Sequence, residues 1–265
     1  MMIVKVGGGL DVNRSGIAED LTNISEKVIF VHGGREQTNL LAQNLNQPTR
    51  KIVSPSGITS IYTDGKAMEL MLMTYSGLLN KSWVAQFSKA GLRPIGLSGA
   101  DGNLWQAERK KHLIAVEGDK QKLVKDTFTG RVIKVNKKLI ETLLKDGYLP
   151  VITQPAITES GELVNTDNDL NLAVMAEAMG VETLVNLFEA PGLLKNLDDS
   201  NSLIRKVDKN DLPQMMRYAK GTMKKKIMGA VKAFDVGVRR ICWGDSRVKR
   251  PIESALAGKG TVISG

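Results

Sequence analysis

The chain has 265 residues, 42% of them hydrophobic and 25% charged, the usage of soluble globular proteins, which excludes a disordered, collagenous or coiled-coil chain. No apolar run reaches the roughly 18 residues a membrane span needs, the start MMIVKV has neither a charged leader nor a cleavage site, and one cysteine with two histidines is too little for a disulfide or a zinc site. The net charge of +9 is concentrated, with ten basic against four acidic side chains over residues 105–138 and fourteen against four over residues 204–250, while the remainder is acidic.

A cytoplasmic chain without a structural metal is therefore expected. The basic blocks would attract nucleic acid, anionic lipid, a phosphorylated ligand or an acidic protein, or they form a solvated surface. Nucleic acid is the least favoured partner, because aromatics make up only 5% and show no stacking motif.

Short β-branched runs alternate with amphipathic helical patterns, the rhythm of an α/β protein with an open, mostly parallel twisted sheet and helices on both faces. The first strand, Ile3–Val6, runs into Gly7-Gly8-Gly9. Lys5 thus lies on the last turn of a strand, beside backbone without Cβ atoms where amides can approach an anion closely. A helix is predicted over Ile17–Lys27. The next strand, Val28–His32, repeats the device with Gly33-Gly34 ahead of a helix over Glu36–Leu45, whose free N–H groups form a second anion seat. Neither turn has the spacing GxxxxGK[ST] or GxGxxG, and each also serves as an ordinary tight connection.

A long helix is predicted over Lys66–Ala90. Its Met68, Met71, Leu72 and Met73 form a dimer seam or plain core packing. After a strand at Leu92–Leu97 the rhythm breaks: the short alternating runs of Trp105–Val135, parted by Gly118 and Gly130, predict an antiparallel ribbon added to the main sheet as an inserted lid. A helix over Lys137–Asp146 and a strand at Leu149–Thr153 follow, then a turn, Glu159-Ser160-Gly161-Glu162, of the kind found at an exposed site rim. The run Asn165-Thr166-Asp167-Asn168-Asp169 opens a helix over Leu170–Met179. Asn and Asp are ordinary helix caps, yet five polar residues exceed what a cap uses.

After Gly180 a new series begins, with strands at Thr183–Leu187, Arg239–Trp243 and Thr261–Ser264 and helices over Leu212–Ala219 and Lys224–Asp235. Two lobes are expected, residues 1–179 and 180–265. Lys224, Lys225 and Lys226 oppose the dipole of the helix they open, at a cost of about 0.3 to 1 kcal/mol each when exposed. They form either a solvated face or a place where something anionic compensates them.

Taken together, Lys5-Val6-Gly7-Gly8, His32-Gly33-Gly34, Ser60-Ile61-Tyr62-Thr63-Asp64, Asn165 to Asp169 and Gly221 to Lys226 occur in the order of the amino acid kinase family, acetylglutamate kinase branch, which the chain resembles over essentially its whole length. Pro55-Ser56-Gly57 and the Gly221 to Lys226 run look most like the kinases of archaeal and Thermus-type lysine biosynthesis. Those act on 2-aminoadipate, or glutamate, whose amino group is linked to a small acidic carrier protein of the LysW type.

The resemblance implies an acceptor-binding, dimerising N-terminal lobe and an ATP-binding C-terminal lobe. It also implies transfer of the γ-phosphoryl group of ATP, with Mg2+ carried by the nucleotide, to a side-chain carboxylate. By position Lys5 and Lys226 resemble the lysines that touch the migrating phosphoryl group, and Asp169 the carboxylate that orients them. Gly33, Gly34, Arg35 and Asn165 fall where the family holds the acceptor. Gly7, Gly8, Gly9, Glu189, Gly192 and Lys224 fall where it meets the nucleotide. Many relatives carry an arginine where this chain has Ile61, a residue that would grip the acceptor's α-carboxylate; here Arg35 or Arg50, or the carrier itself, would take its place.

A free acceptor needs a few local cations, whereas an acidic carrier needs a broad complementary face. Arg109, Lys110, Lys111, Lys120, Lys122 and Lys125 are accordingly expected to dock the carrier, with Lys134, Lys137 and Lys138 nearby. The alternatives are acetylglutamate kinase proper and a catalytically silent regulatory or nucleic-acid-binding member of the fold. A homodimer is expected, with neither nucleic acid nor membrane as partner.

Overall fold

A computed structural model of the chain describes residues 1–118 and 120–265. Its centre is an eight-stranded sheet in the order Lys206–Asp208, Thr261–Ser264, Arg240–Asp245, Thr183–Phe188, Met2–Val6, Val28–His32, Leu149–Thr153, Pro94–Ser98. All neighbouring pairs are parallel except Arg240–Asp245 with Thr261–Ser264. Every predicted strand is present. The extra one, Lys206–Asp208, has three residues at the sheet edge, too short for its alternation to register in the sequence.

The period of two sorts the strand side chains into two cores. Ile3, Ile29, Val31, Ile152, Leu184 and Ile241 face one side, beneath helices Lys137–Lys145, Asn168–Met179 and Thr222–Asp235. Val4, Val6, Phe30, Val151, Val185 and Cys242 face the other, against helices Arg14–Thr22, Asn80–Lys89 and Pro251–Leu256. There Phe30, Trp83 and Phe87 pack with ring centroids 4.8 to 5.3 Å apart. The helix predicted over Ile17–Lys27 starts earlier, at Arg14, because Asn13 caps it by accepting from the Gly16 amide, and it ends at Thr22, ahead of Asn23.

The single helix predicted over Lys66–Ala90 is three segments: α-helix Gly65–Met71, π-helix Leu72–Leu79 and α-helix Asn80–Lys89. The π turn falls where Thr74 bonds back to the Leu70 carbonyl (2.8 Å) and across to the Thr38 hydroxyl (2.6 Å). Leu212–Tyr218 is a 3-10 helix rather than an α-helix. The segment Trp105–Val135 is antiparallel as expected, but it is not added to the main sheet. Strand Trp105–Arg109 pairs with Gly130–Val135 and, in parallel, with Ala156–Ile157, giving a separate four-stranded sheet.

Between those two strands, hairpin Leu113–Glu117/Lys120–Val124 reaches out to a second hairpin, Lys51–Val53/Thr59–Ile61. The two share a small core of Ile52, Ala115 and Val124, with Tyr62 and Leu113 against it. The Tyr62 hydroxyl donates to the carbonyls of Lys125 and Asp126 (3.1 and 3.2 Å). This pair of hairpins, in the place where a lid was expected, borders the same cavity as the turns that follow strands Met2–Val6 and Val28–His32. Among the described residues no helix is long and apolar enough to cross a membrane.

Candidate active site

Strand alternation aims Lys5, like Ile3, at the face covered by helices Asn168–Met179 and Thr222–Asp235. Asp167 caps the first of these helices, accepting from the amides of Asp169 and Leu170 (3.0 and 3.4 Å), and so fixes Asp169 in the opening turn. Close packing of the second helix at Gly229 brings Lys226, three residues earlier, to the same carboxylate. Lys5 Nζ lies 2.8 Å from Asp169 Oδ1, and Lys226 Nζ lies 3.4 Å from both of its oxygens. Lys226 also rests over the Phe188 ring, 4.9 Å from its centre.

Both lysines are almost fully buried, at 5% and 6% exposure. Burial draws Lys226 down to about 8; Asp169 pulls it back only in part, and Lys5 adds repulsion. For Lys5 burial is the largest single influence and pulls downward, but the charge and hydrogen bond of Asp169, with Lys226 and Asp167 adding to them, together hold the ammonium above its ordinary value. Burial would raise Asp169, but the two lysines hold its carboxyl well below the usual range. Two ammonium groups against one carboxylate leave unbalanced positive charge in a dry place, and such a site is completed by an anion.

Two glycine turns close the site from the N-terminal half. A Cβ on Gly8 would stand 2.5 Å from the backbone nitrogens of Gly34 and Arg35, so the turns touch main chain to main chain, with Glu36 N donating to Gly8 O at 3.1 Å. His32 holds the second turn. Burial lowers its pKa to about 4, leaving it neutral; Nδ1 donates to the Gly33 carbonyl (3.0 Å) and Nε2 accepts from Asn80 Nδ2 (3.2 Å). Gly9 packs on the Glu189 carboxylate, whose Oε1 accepts from the Asp11 amide at 2.8 Å.

A cavity of about 1020 Å³ joins these parts, enough for a nucleotide and a small acceptor together. Lys5, Asp169, Lys226, Gly7, Gly8, Gly9, Gly33, Gly34, Arg35, Asn165 and Glu189 all border it, and Lys110 reaches it from the lid. Gly192 lies apart from it, packed on Thr261 with φ at 155°. Lys224 also lies outside, donating to the Ser56 carbonyl (3.4 Å), while Lys225 bonds Ser60 Oγ (3.1 Å) and pairs with Asp167 (3.0 Å). The start of the basic helix thus latches the hairpin Lys51–Val53/Thr59–Ile61 to the C-terminal half, and neighbouring acceptor groups compensate its charge.

On the lid, Arg109 is held by Glu162, the Thr127 carbonyl and the Phe128 ring, and Lys122 pairs with Glu117. Among the described residues Lys110, Lys111, Lys120 and Lys125 have no ion-pair partner. The turn Glu159–Glu162 is exposed but borders a separate shallow depression. Sequence reasoning missed Gln154, and it singled out Asn168 only as part of the polar run. Gln154 bonds the amide and carbonyl of Thr166 and donates to Asn168 Oδ1 (3.1 Å), and Asn168 donates to the His32 carbonyl (3.2 Å). Asn165 Nδ2 donates to Thr63 Oγ1 (2.8 Å), tying the polar run to the lid hairpin. A lone Gln ahead of a proline carries no signal of this network.

The amino acid kinase family profile matches residues 1–242. The chain is 42% identical to the [LysW]-aminoadipate kinase of Thermus thermophilus, over 99% of this chain and 100% of that one. It is also 42% identical to the [LysW]-aminoadipate kinase of Deinococcus radiodurans, over 100% and 91%. Among solved structures, N-acetylglutamate synthase from Neisseria gonorrhoeae superposes with a TM-score of 0.79 at 17% identity, over 100% of this chain and 59% of that chain, a likeness of fold.

Proposed function

As a member of the amino acid kinase family the chain is a phosphotransferase, and we propose that it transfers the γ-phosphoryl group of ATP to the side-chain carboxylate of 2-aminoadipate, held through its amino group on a small acidic carrier protein, in lysine biosynthesis. The observation that carries this reading is the convergence of Lys5 and Lys226 on Asp169, between two glycine turns, at the floor of one cavity.

A side-chain carboxylate, with a pKa near 4.3, is already ionised at neutral pH, so the nucleophile requires no general base. The barrier is repulsion between two anions and the charge spread over the migrating group. Lys5 and Lys226 neutralise that charge, one from each half of the chain, and Asp169 fixes their directions. Amides of Gly7, Gly8 and Gly9 line the phosphates, and Glu189 borders the nucleotide. Gly33, Gly34 and Asn165 hold the acceptor. An Mg2+ ion brought with the phosphates of ATP would supply further charge neutralisation.

The N-terminal lobe, residues 1–179, takes the acceptor and the C-terminal lobe, residues 180–265, takes ATP. Lys110, Lys111, Lys120 and Lys125 present the free charge of the lid to the acidic carrier. Met73 and Leu78, each 53% exposed on the π turn, form the seam of a homodimer.

Incubation with ATP and, side by side, carrier-linked 2-aminoadipate, carrier-linked glutamate and free acetylglutamate tests this reading, with acyl phosphate trapped by hydroxylamine. Turnover of carrier-linked 2-aminoadipate is expected. Turnover of acetylglutamate alone would overturn the carrier, and turnover of none would overturn the reaction.

A further inference from the structure

Several segments that build the site meet at one buried side chain. Gln154 follows strand Leu149–Thr153, is 4% exposed and borders the cavity. Its main-chain carbonyl accepts from the Ser76 hydroxyl of the π turn at 2.9 Å. Its side chain reaches the polar run, where Oε1 accepts from the Thr166 amide at 2.8 Å and Nε2 donates to the Thr166 carbonyl and, at 3.1 Å, to Asn168 Oδ1. Asn168 in turn donates to the His32 carbonyl, where the second glycine turn begins.

Thr166 depends on that side chain. It is buried, and among the described residues neither its N–H nor its C=O has a main-chain partner, so Gln154 supplies the pairing that a strand or helix would otherwise give. The Thr166 hydroxyl is held as well, accepting from Asn171 Nδ2 at 2.7 Å. An uncharged amide both accepts from an N–H and donates to a C=O, the two tasks that the Thr166 main chain sets.

Thr166 stands between the two ends of the site. Asn165, just before it, is bonded through its main chain to Phe128 and Gly130 and through its side chain to Thr63. Asp167, just after it, caps the helix that opens with Asn168 and pairs with Lys225, and Asp169 holds Lys5 and Lys226. The path from the acceptor end to the phosphoryl end therefore runs through one residue whose main chain is gripped by Gln154.

We propose that Gln154 is a positioning residue for phosphoryl transfer: by pairing with both polar groups of the Thr166 main chain it fixes Asn165 relative to Asp169, and so aligns the acceptor with the two lysines. This rests on the carboxylate-kinase reading above. Both hydrogens of Gln154 Nε2 are already used, one on Thr166 and one on Asn168, so the side chain acts on alignment and not on affinity.

The experiment follows ADP formation with carrier-linked 2-aminoadipate in wild type and two variants. Gln154→Met keeps length and apolar packing and removes every side-chain bond. It should lower kcat roughly 10- to 100-fold, the effect of a displacement of about 1 Å between reacting groups, with KM for ATP unchanged. Gln154→Glu gives a rescue that depends on pH. Protonated, the new carboxyl accepts from the Thr166 amide and donates to the Thr166 carbonyl, as the native amide does; ionised, it has no proton to give. Burial raises the pKa of such a carboxyl, so kcat of this variant should climb toward wild type as pH falls from about 7.5 to about 5.5. The native groups of the site do not mimic that climb: His32 is neutral with a pKa near 4, Asp169 is held well below the usual carboxylate range, Lys5 lies above its ordinary value, and Lys226 titrates at about 8.

An unchanged kcat in Gln154→Met would overturn the proposal. So would a rise in KM for ATP as large as the fall in kcat, or a loss of rate that vanishes once thermal melts correct for the folded fraction, since these make Gln154 a support of the nucleotide or of the fold. A Gln154→Glu profile parallel to wild type would overturn it equally. In each of those cases the kinase reading stands. Absence of turnover by wild type would instead remove the reading on which the proposal rests.

Discussion

Gly229 lies directly against the backbone of Asp169: a Cβ at Gly229 would stand 2.3 Å from the Asp169 carbonyl oxygen. The two helices touch there without an intervening side chain, and this contact sets how far Lys226 reaches. Gly229→Ala should cost about 1 to 3 kcal/mol by overpacking, despite the gain in helix propensity, and should lower kcat more than tenfold as Lys226 is displaced. An unchanged urea midpoint with unchanged turnover would mean that the crossing relaxes freely and does not set the geometry.

Lys5→Ala and Lys226→Ala should each reduce kcat by roughly 100- to 1000-fold, the usual effect of removing one donor to a developing charge. Folding should be nearly intact, because each variant leaves one lysine paired with Asp169. Asp169→Asn should behave differently. It strands two buried ammonium groups, and breaking a buried pair costs about 3 to 5 kcal/mol. Thermal melting alongside initial rates separates the two patterns, and a stable, active Asp169→Asn enzyme would refute the orienting role.

Lys226 sets the alkaline limb. Its pKa in the free enzyme is about 8, so kcat/KM for ATP should fall above that pH, while kcat, which reports the nucleotide-bound enzyme, should hold to higher pH because phosphate favours the charged ammonium. His32, neutral with its pKa near 4, contributes no limb between pH 5 and 8. In stability the sign is reversed. A lysine whose folded pKa lies below its ordinary 10.5 costs stability while charged; that cost is full below about pH 8 and fades as pH rises toward 10.5. Asp169, depressed in the fold, contributes stability above its ordinary 3.8 that is lost as pH falls. Rate profiles over about pH 6 to 10 test the limb and urea-denaturation profiles extended down to about pH 2 test both stability terms; coincident kcat and kcat/KM profiles would count against a phosphate beside Lys226.

Charge reversal at Lys110, Lys111 and Lys120 should raise KM for the carrier-linked acceptor and flatten its dependence on salt, leaving KM for ATP unchanged. Reversal at Arg109 should also disturb the lid, since that guanidinium is bonded to Glu162 and the Thr127 carbonyl. Turnover with the carrier that is indifferent to both charge reversal and salt would remove the lid from carrier recognition.

The main sheet was legible because its strands are buried on both faces and read as short apolar runs, as in Val28–His32. Lys5, Asp169 and Lys226 were named from the order of motifs the chain shares with its family; taken singly, a lysine at a strand end, an aspartate in the opening turn of a helix and a lysine further along another are ordinary residues. Residues whose role exists only across distance were not legible. Gly229 looks like an ordinary helix glycine until Asp169 lies against it, and Gln154 acquires its role from Thr166 and Asn168 in the folded chain. The π turn at Leu72–Leu79 shares its hydrophobic pattern with an α-helix and depends on bonds from Thr74 that no periodicity reveals. The antiparallel ribbon of Trp105–Val135 was read correctly along the chain but joined to the wrong sheet, because alternation shows that a strand pairs and not with what, and the hairpin Lys51–Val53/Thr59–Ile61 that packs on it went unread, its strands being three residues each.

The strand that carries Lys5 is zipped along its whole length to Thr183–Phe188, residue for residue from Met2 with Thr183 to Val6 with Leu187. The two halves of the chain thus share one continuous sheet beneath the site. The paired hairpins that border the same cavity are tied to that sheet far more lightly, at one edge by Lys224 and Lys225 and to each other by a core of a few side chains. One wall of the site is therefore anchored strand to strand, and the other hangs on a handful of contacts.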